Sequence, residues 1–256
     1  MLFHHEYESR RSFIKNIVFV TAGMYACNKS ASGPDYDHSE QILNIPFTQK
    51  ITLKTNDHIL FIGDSITDAN RDKSDLAPNS APGLGDGYVS EIENDLINID
   101  SFQNLFIYNR GISGNKTSDL LNRWDEDAIS LNPEIISILV GVNDLRNNVT
   151  PTNYYRIYRK ILQKTMAKLP STKLILCEPF ILNNIAQYDR VEPAFHEYRK
   201  VVRTLVGEFN TIFVPFYDIL FAESRYNPVA SLLKDGFHPA PMGITALKDC
   251  WLKILS

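Results

Sequence analysis

Ile59-Leu60-Phe61-Ile62-Gly63-Asp64-Ser65-Ile66-Thr67-Asp68 runs four consecutive apolar residues into a glycine turn and then into a polar, helix-capping stretch. Four apolar residues without alternation describe a strand covered on both faces. Four more such runs follow: Leu105-Phe106-Ile107-Tyr108, Ile135-Ile136-Ser137-Ile138-Leu139-Val140, Leu174-Ile175-Leu176-Cys177 and Ile212-Phe213-Val214. Between them Tyr154, Tyr158, Ile161, Leu162, Thr165 and Leu169 keep a spacing of three and four, as do Phe195, Tyr198, Val202, Leu205 and Phe209. Those are helices with one buried face. Ile244, Leu247, Trp251 and Ile254 repeat the pattern after Pro241, which suits a first helical turn. The alternation predicts one domain over residues 48–256: a doubly wound, flavodoxin-like α/β three-layer sandwich on a five-stranded parallel sheet. In such sheets ligands bind beyond the carboxyl ends of the strands, so functional residues are expected just after each apolar run.

The composition agrees with a globular chain. Of 256 residues 44% are hydrophobic and 22% charged, and 12 Gly and 13 Pro are too few for a collagenous or low-complexity protein. A net charge of −4 is not the electrostatic footprint of a protein that holds phosphate backbones, so nucleic acid is not expected as a partner. Cys27, Cys177 and Cys250 make no disulfide framework, and no Cys/His spacing suits zinc.

The first residues read differently. Ser9-Arg10-Arg11-Ser12-Phe13-Ile14-Lys15, followed by a modestly apolar run to Ala26, resembles a twin-arginine export signal, and that run is too short for a permanent anchor. Met24-Tyr25-Ala26-Cys27 resembles a lipobox in which Cys27 would be lipidated, although Tyr25 is large for its place and Met24 replaces the usual leucine. Residues 1–26 are therefore expected to be an export signal and residues 27–47 a tether, with the protein exported to the periplasm or cell envelope and touching a membrane only through an N-terminal lipid. Cleavage before Cys27 removes Glu6, Glu8, Arg10, Arg11 and Lys15 and leaves a charge of −5.

The stretches after the strands carry the chemistry. Gly63-Asp64-Ser65 follows the first, Arg110-Gly111-Ile112-Ser113-Gly114-Asn115 the second and Gly141-Val142-Asn143-Asp144 the third, while Asp235-Gly236-Phe237-His238-Pro239 precedes the last helix. A lone Gly-Asp-Ser is most often a turn with a capping serine. Here the turn leaves a buried strand and puts Ser65 at the start of a helix, a suitable post for a nucleophile. Asp235 lies three residues before His238, close enough to orient its imidazole toward Ser65. His38 lies in the tether, His58 precedes a strand and His196 is inside a helical pattern. Gly114 can offer a main-chain N–H and Asn143 a side-chain amide to the oxyanion of acyl transfer, with the N–H of Ser65 as a third donor. Absence of GxSxG argues against the α/β-hydrolase family. Gly83-Leu84-Gly85-Asp86-Gly87 follows no strand and precedes no lysine, so it reads as a flexible loop and not as a phosphate cradle.

These four blocks, in this order, resemble the SGNH hydrolase superfamily, or GDSL-type esterases. The resemblance implies a serine esterase with catalytic Ser65, Gly114, Asn143, Asp235 and His238, and no metal or organic cofactor. Within the superfamily the sequence is similar to acetylxylan esterases, through residues 60–68, Arg71, 83–89, 109–115, 123–127 and 141–144. The likeness is sparse over 146–230. It implies deacetylation of acetylated sugars, xylan-derived oligosaccharides foremost, with Phe237, Asp64 and Asp144 on the substrate side. Trp124, Phe180 and Tyr188 are further candidates for stacking on sugar faces, though core packing is the commoner fate of an aromatic residue. Two other readings stay open: a lipid-directed esterase or thioesterase on the same fold, and a non-catalytic glycan-binding lipoprotein.

Overall fold

The computed structural model describes residues 49–99, 104–185 and 188–256. The stretches expected to be an export signal (residues 1–26) and a tether (residues 27–47), with Cys27, lie outside the described residues.

Five strands form one parallel sheet: β1 (His58–Gly63), β2 (Phe106–Asn109), β3 (Ile135–Leu139), β4 (Lys173–Cys177) and β5 (Ile212–Val214), in the order β2-β1-β3-β4-β5. Each coincides with one of the apolar runs. Nearly every strand residue is buried, as a sheet covered on both faces requires. The register pairs Ile59 with Ile107 and Gly63 with Leu139, which brings the carboxyl ends of β1, β2 and β3 to one edge. The connection leaves β1 toward β2 on one side, and β3 lies on the other. That is the crevice where a doubly wound sheet binds its ligand.

The helices are α1 (Ser65–Asp68), α2 (Ala81–Leu84), α3 (Tyr88–Ile97), α4 (Thr117–Trp124), α5 (Val142–Arg146), α6 (Pro151–Lys168), α7 (Tyr188–Phe209), α8 (Phe216–Glu223), α9 (Val229–Leu232) and α10 (Pro241–Leu252). They pack as two groups, α3 and α8 with α10, and α4 and α7 with α6. The periodic residues of α6 and α7 are buried except Phe209, which is half-buried, and α7 begins well before Phe195, with Tyr188 and Val191 also packed on the core. Buried polar side chains on the strands find partners on the elements packed against them. Ser137 on β3, for example, accepts the Trp251 indole N–H at 3.1 Å.

One expectation is corrected, and for two aromatic residues the commoner fate of core packing holds. Residues 83–87 are not a flexible loop: Leu84 closes α2, Gly87 caps α3, and the N–H of Asp86 donates to the Ala69 carbonyl at 2.8 Å. Trp124 and Phe180 are fully buried, Trp124 donating to Thr165 Oγ1 at 2.9 Å, so neither can stack on a sugar. Burial of such rings stabilises the core by roughly 1.5–3 kcal/mol each.

Candidate active site

At the end of β1 the chain turns and Asp64 starts α1, its Oδ1 accepting the Ile66 N–H at 3.0 Å. This cap holds Ser65 at the first helical position. Ser65 Oγ lies 2.8 Å from His238 Nε2, and His238 Nδ1 lies 2.7 Å from Asp235 Oδ2. Asp235 Oδ1 also accepts the main-chain N–H of Phe237 at 3.1 Å and of His238 at 2.9 Å. The loop thus orients its own histidine. With Nδ1–H donated to Asp235, Nε2 is the acceptor for the serine proton. Partial burial pushes the Asp235 carboxyl up, but the His238 hydrogen bonds outweigh it and hold the group below its ordinary value.

The segment after β2 continues the sheet's hydrogen bonding past the strand end, with Arg110 N–H on the Phe61 carbonyl (2.8 Å) and Ile112 N–H on the Gly63 carbonyl (3.1 Å). It reaches Gly114 with φ +83°, a backbone setting that disfavours a side chain. Nothing lies within 4 Å of where a Gly114 Cβ would be, so the space beside it is open. Asn143, near the start of α5, donates one amide hydrogen to the Asn115 carbonyl at 3.2 Å and is 8% exposed. Ser65, Gly114 and Asn143 therefore stand at the ends of β1, β2 and β3.

Several polar groups clamp the 110–115 segment. Asp68 Oδ2 accepts the Ser113 N–H at 2.8 Å and its hydroxyl at 2.7 Å, while Oδ1 takes Lys73 Nζ at 3.1 Å. Burial raises the Asp68 carboxyl, yet Ser113 and Lys73 more than offset it, and the net shift is downward. Arg71 Nε donates to the Gly111 carbonyl at 2.8 Å, and Asn109 Oδ1 accepts the Gly111 N–H at 2.8 Å. The sequence offered these residues only as parts of a resemblance. Their signal is chemical: Arg71, Asn109 and Arg123 are large polar groups in otherwise buried surroundings.

Asp64 and Asp144 do not take the place expected on the substrate side. Asp144 is fully buried and accepts the Thr117 N–H at 3.0 Å and hydroxyl at 2.6 Å, which ties α5 to α4. Burial raises its carboxyl, and the Thr117 hydrogen bonds only partly offset that. Asp64 is 1% exposed, its Oδ2 has no hydrogen-bond partner among the described residues, and burial pushes its pKa up to about 7 against the Ile66 N–H and His238. Both carboxylates are held inside the fold, Asp64 as the cap of α1 and Asp144 by its bonds to Thr117. Phe237 is half-buried, with the Arg146 guanidinium 5.3 Å from its ring centroid, and Tyr188 is half-buried in α7.

In front of Ser65 lies a cleft of about 320 Å³. Asn70 and Asp86 form one wall, joined by two hydrogen bonds of 3.2 Å, and Lys234, Pro239 and Ile244 line another part. Asn70, Asp86 and Lys234 are exposed residues that sequence reasoning did not find, because they come from three separate connections.

A parallel sheet with a serine, histidine and aspartate array at its carboxyl edge places this chain among the carboxylic ester hydrolases. It belongs to the GDSL-like lipase/acylhydrolase family, whose model matches residues 61–245. The chain is 29% identical over 215 residues to an acetylxylan esterase of Geobacillus stearothermophilus, covering 78% of this chain and 94% of that protein. The crystal structure of Axe2, an acetylxylan esterase of the same organism, superposes with a TM-score of 0.73 at 27% identity over 80% of this chain and 96% of that one. Catalytic mutants of Axe2 replace a serine, an aspartate and a histidine, the last two three positions apart. A protein described as a GDSL-like lipase of Parabacteroides merdae superposes with a TM-score of 0.77 at 38% identity, over 80% and 98% of the two chains.

Proposed function

We propose that this esterase removes acetyl groups from acetylated sugars, xylan-derived oligosaccharides foremost, through an acyl-enzyme on Ser65. The observation that carries the reading is the hydrogen-bonded line Ser65–His238–Asp235, spaced as the aspartate and histidine of the Axe2 catalytic mutants are. Ser65 Oγ attacks the acetyl carbonyl while its proton passes to His238 Nε2, and Asp235 steadies the imidazolium from Nδ1. The oxyanion that forms is met by the N–H groups of Ser65 and Gly114 and by the free amide hydrogen of Asn143. Collapse breaks the bond to the sugar oxygen, which leaves with the proton from His238. Water, activated by the same histidine, then releases acetate from Ser65. Asn70, Asp86 and Lys234 give the cleft polar walls suited to a hydroxyl-rich alcohol.

An acetyl group offers a single methyl to bury. Each further CH₂ would add roughly 0.8 kcal/mol of binding if the acyl side could take it. Acetyl esters should accordingly be preferred, with kcat/KM falling steeply from acetyl to butyryl and beyond, and acetate should be released from acetylated xylo-oligosaccharides. Preference for octanoyl esters, with acetylated xylose untouched, would refute the reading in favour of a lipid-directed esterase. We also propose that the protein is exported and held at a membrane by a lipid on Cys27, a reading supported by Arg10-Arg11 and the residues before Cys27.

A further inference from the structure

Arg123, the penultimate residue of α4, has a side chain only 15% exposed and does not line the cleft in front of Ser65. Its Nε donates to Asn115 Oδ1 at 2.8 Å, Nη1 to the Arg110 carbonyl at 2.8 Å and Nη2 to the Gly63 carbonyl at 3.2 Å. Asp127, one turn further along, pairs with Nη1 and holds the guanidinium in place. Four of the five N–H donors of a guanidinium are thereby used.

Each acceptor is a joint of the reacting frame. The Gly63 carbonyl belongs to the turn that presents Ser65, and it also receives the Ile112 N–H. The Arg110 carbonyl opens the segment that ends in Gly114. Asn115 is bound twice, its side chain to Arg123 and its carbonyl to Asn143 Nδ2 at 3.2 Å. One planar cation therefore links the ends of β1 and β2 directly and, through Asn115, the donor at the end of β3.

We propose that Arg123 is a positioning residue for the oxyanion site, fixing the spacing of Ser65, Gly114 and Asn143 through Gly63, Arg110 and Asn115. The inference rests on the assignment of Gly114 and Asn143 as oxyanion donors. Geometry and not charge alone makes the link: a lysine is a point charge on a flexible stem and cannot span three acceptors in a plane. A tetrahedral intermediate gains most from donors already in place, so a small displacement shows in kcat before KM.

The test uses Arg123→Lys, Arg123→Met and Asn115→Ala in the full chain, with an aryl acetate as substrate. Misplacement of about 1 Å costs on the order of 10²-fold. Each variant should lose about that much kcat with KM little changed. Affinity for a boronic acid, which forms a tetrahedral adduct on the serine, should fall in parallel. In an Asn143→Ala background Arg123→Met should cost less than in the wild type, because the route through Asn115 to Asn143 is already lost while those through Gly63 and Arg110 remain. Wild-type kcat in Arg123→Met, an unchanged boronate affinity, or the same fold-loss in both backgrounds would each overturn the proposal. If the Arg123 variants do not fold, Asn115→Ala decides alone, since it keeps the guanidinium and removes its link to Asn143: lost kcat supports the proposal and wild-type kcat overturns it. Wild-type kcat in Asn143→Ala by itself would instead remove the oxyanion assignment, and the proposal with it.

Discussion

Ser65, Asn143 and Asp64 are near neighbours at the strand ends with three different duties, and each duty makes its own prediction. Ser65 Oγ bonds to His238 and is the only hydroxyl that does so among the described residues, so Ser65→Ala should abolish turnover on an aryl acetate while the melting temperature stays close to that of the wild type. Asn143→Ala removes one oxyanion donor and should lower kcat by about 10²–10³. Asp64 is predicted to affect stability through pH. Burial raises its folded-state pKa from 3.8 to about 7, so between those values the unfolded chain releases a proton that the folded protein keeps. The folded state then binds more protons, and the Asp64 contribution weakens stability as pH rises from about 4 to about 7, with the full penalty present above that. Asp64→Asn retains a cap oxygen for the Ile66 N–H and cannot ionise. Its melting temperature relative to wild type should therefore rise between pH 4 and pH 8; a constant difference across that range would contradict the assignment.

At the scale of elements, short helices at the strand ends set the site. α5 is five residues long and carries Asn143 because Gly141 reverses the chain after β3 with φ +142°. A Cβ at Gly141 would meet the Tyr154 hydroxyl at 2.9 Å and Pro179 at 3.3 Å, so the position combines backbone strain with a close approach. Gly141→Ala should cost about 1–3 kcal/mol in denaturant unfolding and lower kcat by displacing α5. If kcat held while stability fell, the start of α5 would not be what aims Asn143. A different device fastens α7 and α8 to the end of β4, where buried Arg199 and half-buried Arg203 share Glu178 and Asp218 in ion pairs. These lie away from the cleft and serve the frame.

For the whole molecule, the sheet and its helices form the catalytic body, and the proposed export rests on the sequence of residues 1–47 alone. No helix among the described residues is long and apolar enough to cross a membrane. Attachment, as proposed, would come from Cys27. Replacing Arg10 and Arg11 by lysine should block export, and Cys27→Ala should release soluble protein, both measurable by cell fractionation and N-terminal mass spectrometry. Full-length protein with an intact N-terminus in the cytosol would defeat the export reading.

Sequence by itself determined the five strands, because a run buried on both faces must be apolar throughout and this is a local property. It also determined the orientation of His238, since Asp235 lies three residues away and one turn of loop suffices. The pairing of Ser65 with His238 spans 173 residues and was legible only because each lies in a block with a familiar neighbourhood. Tertiary structure decided what no local pattern encodes. Asp64 and Asp144 look like surface carboxylates beside a nucleophile, yet the cap of α1 and the bonds to Thr117 hold them inside the fold, where burial governs their charge. The cleft wall joins Asn70, Asp86 and Lys234 from three connections, and Arg123 reaches Gly63 across 60 residues. Periodicity states which face of an element is buried, whereas the crossovers of the sheet decide which polar groups from distant elements meet at its edge.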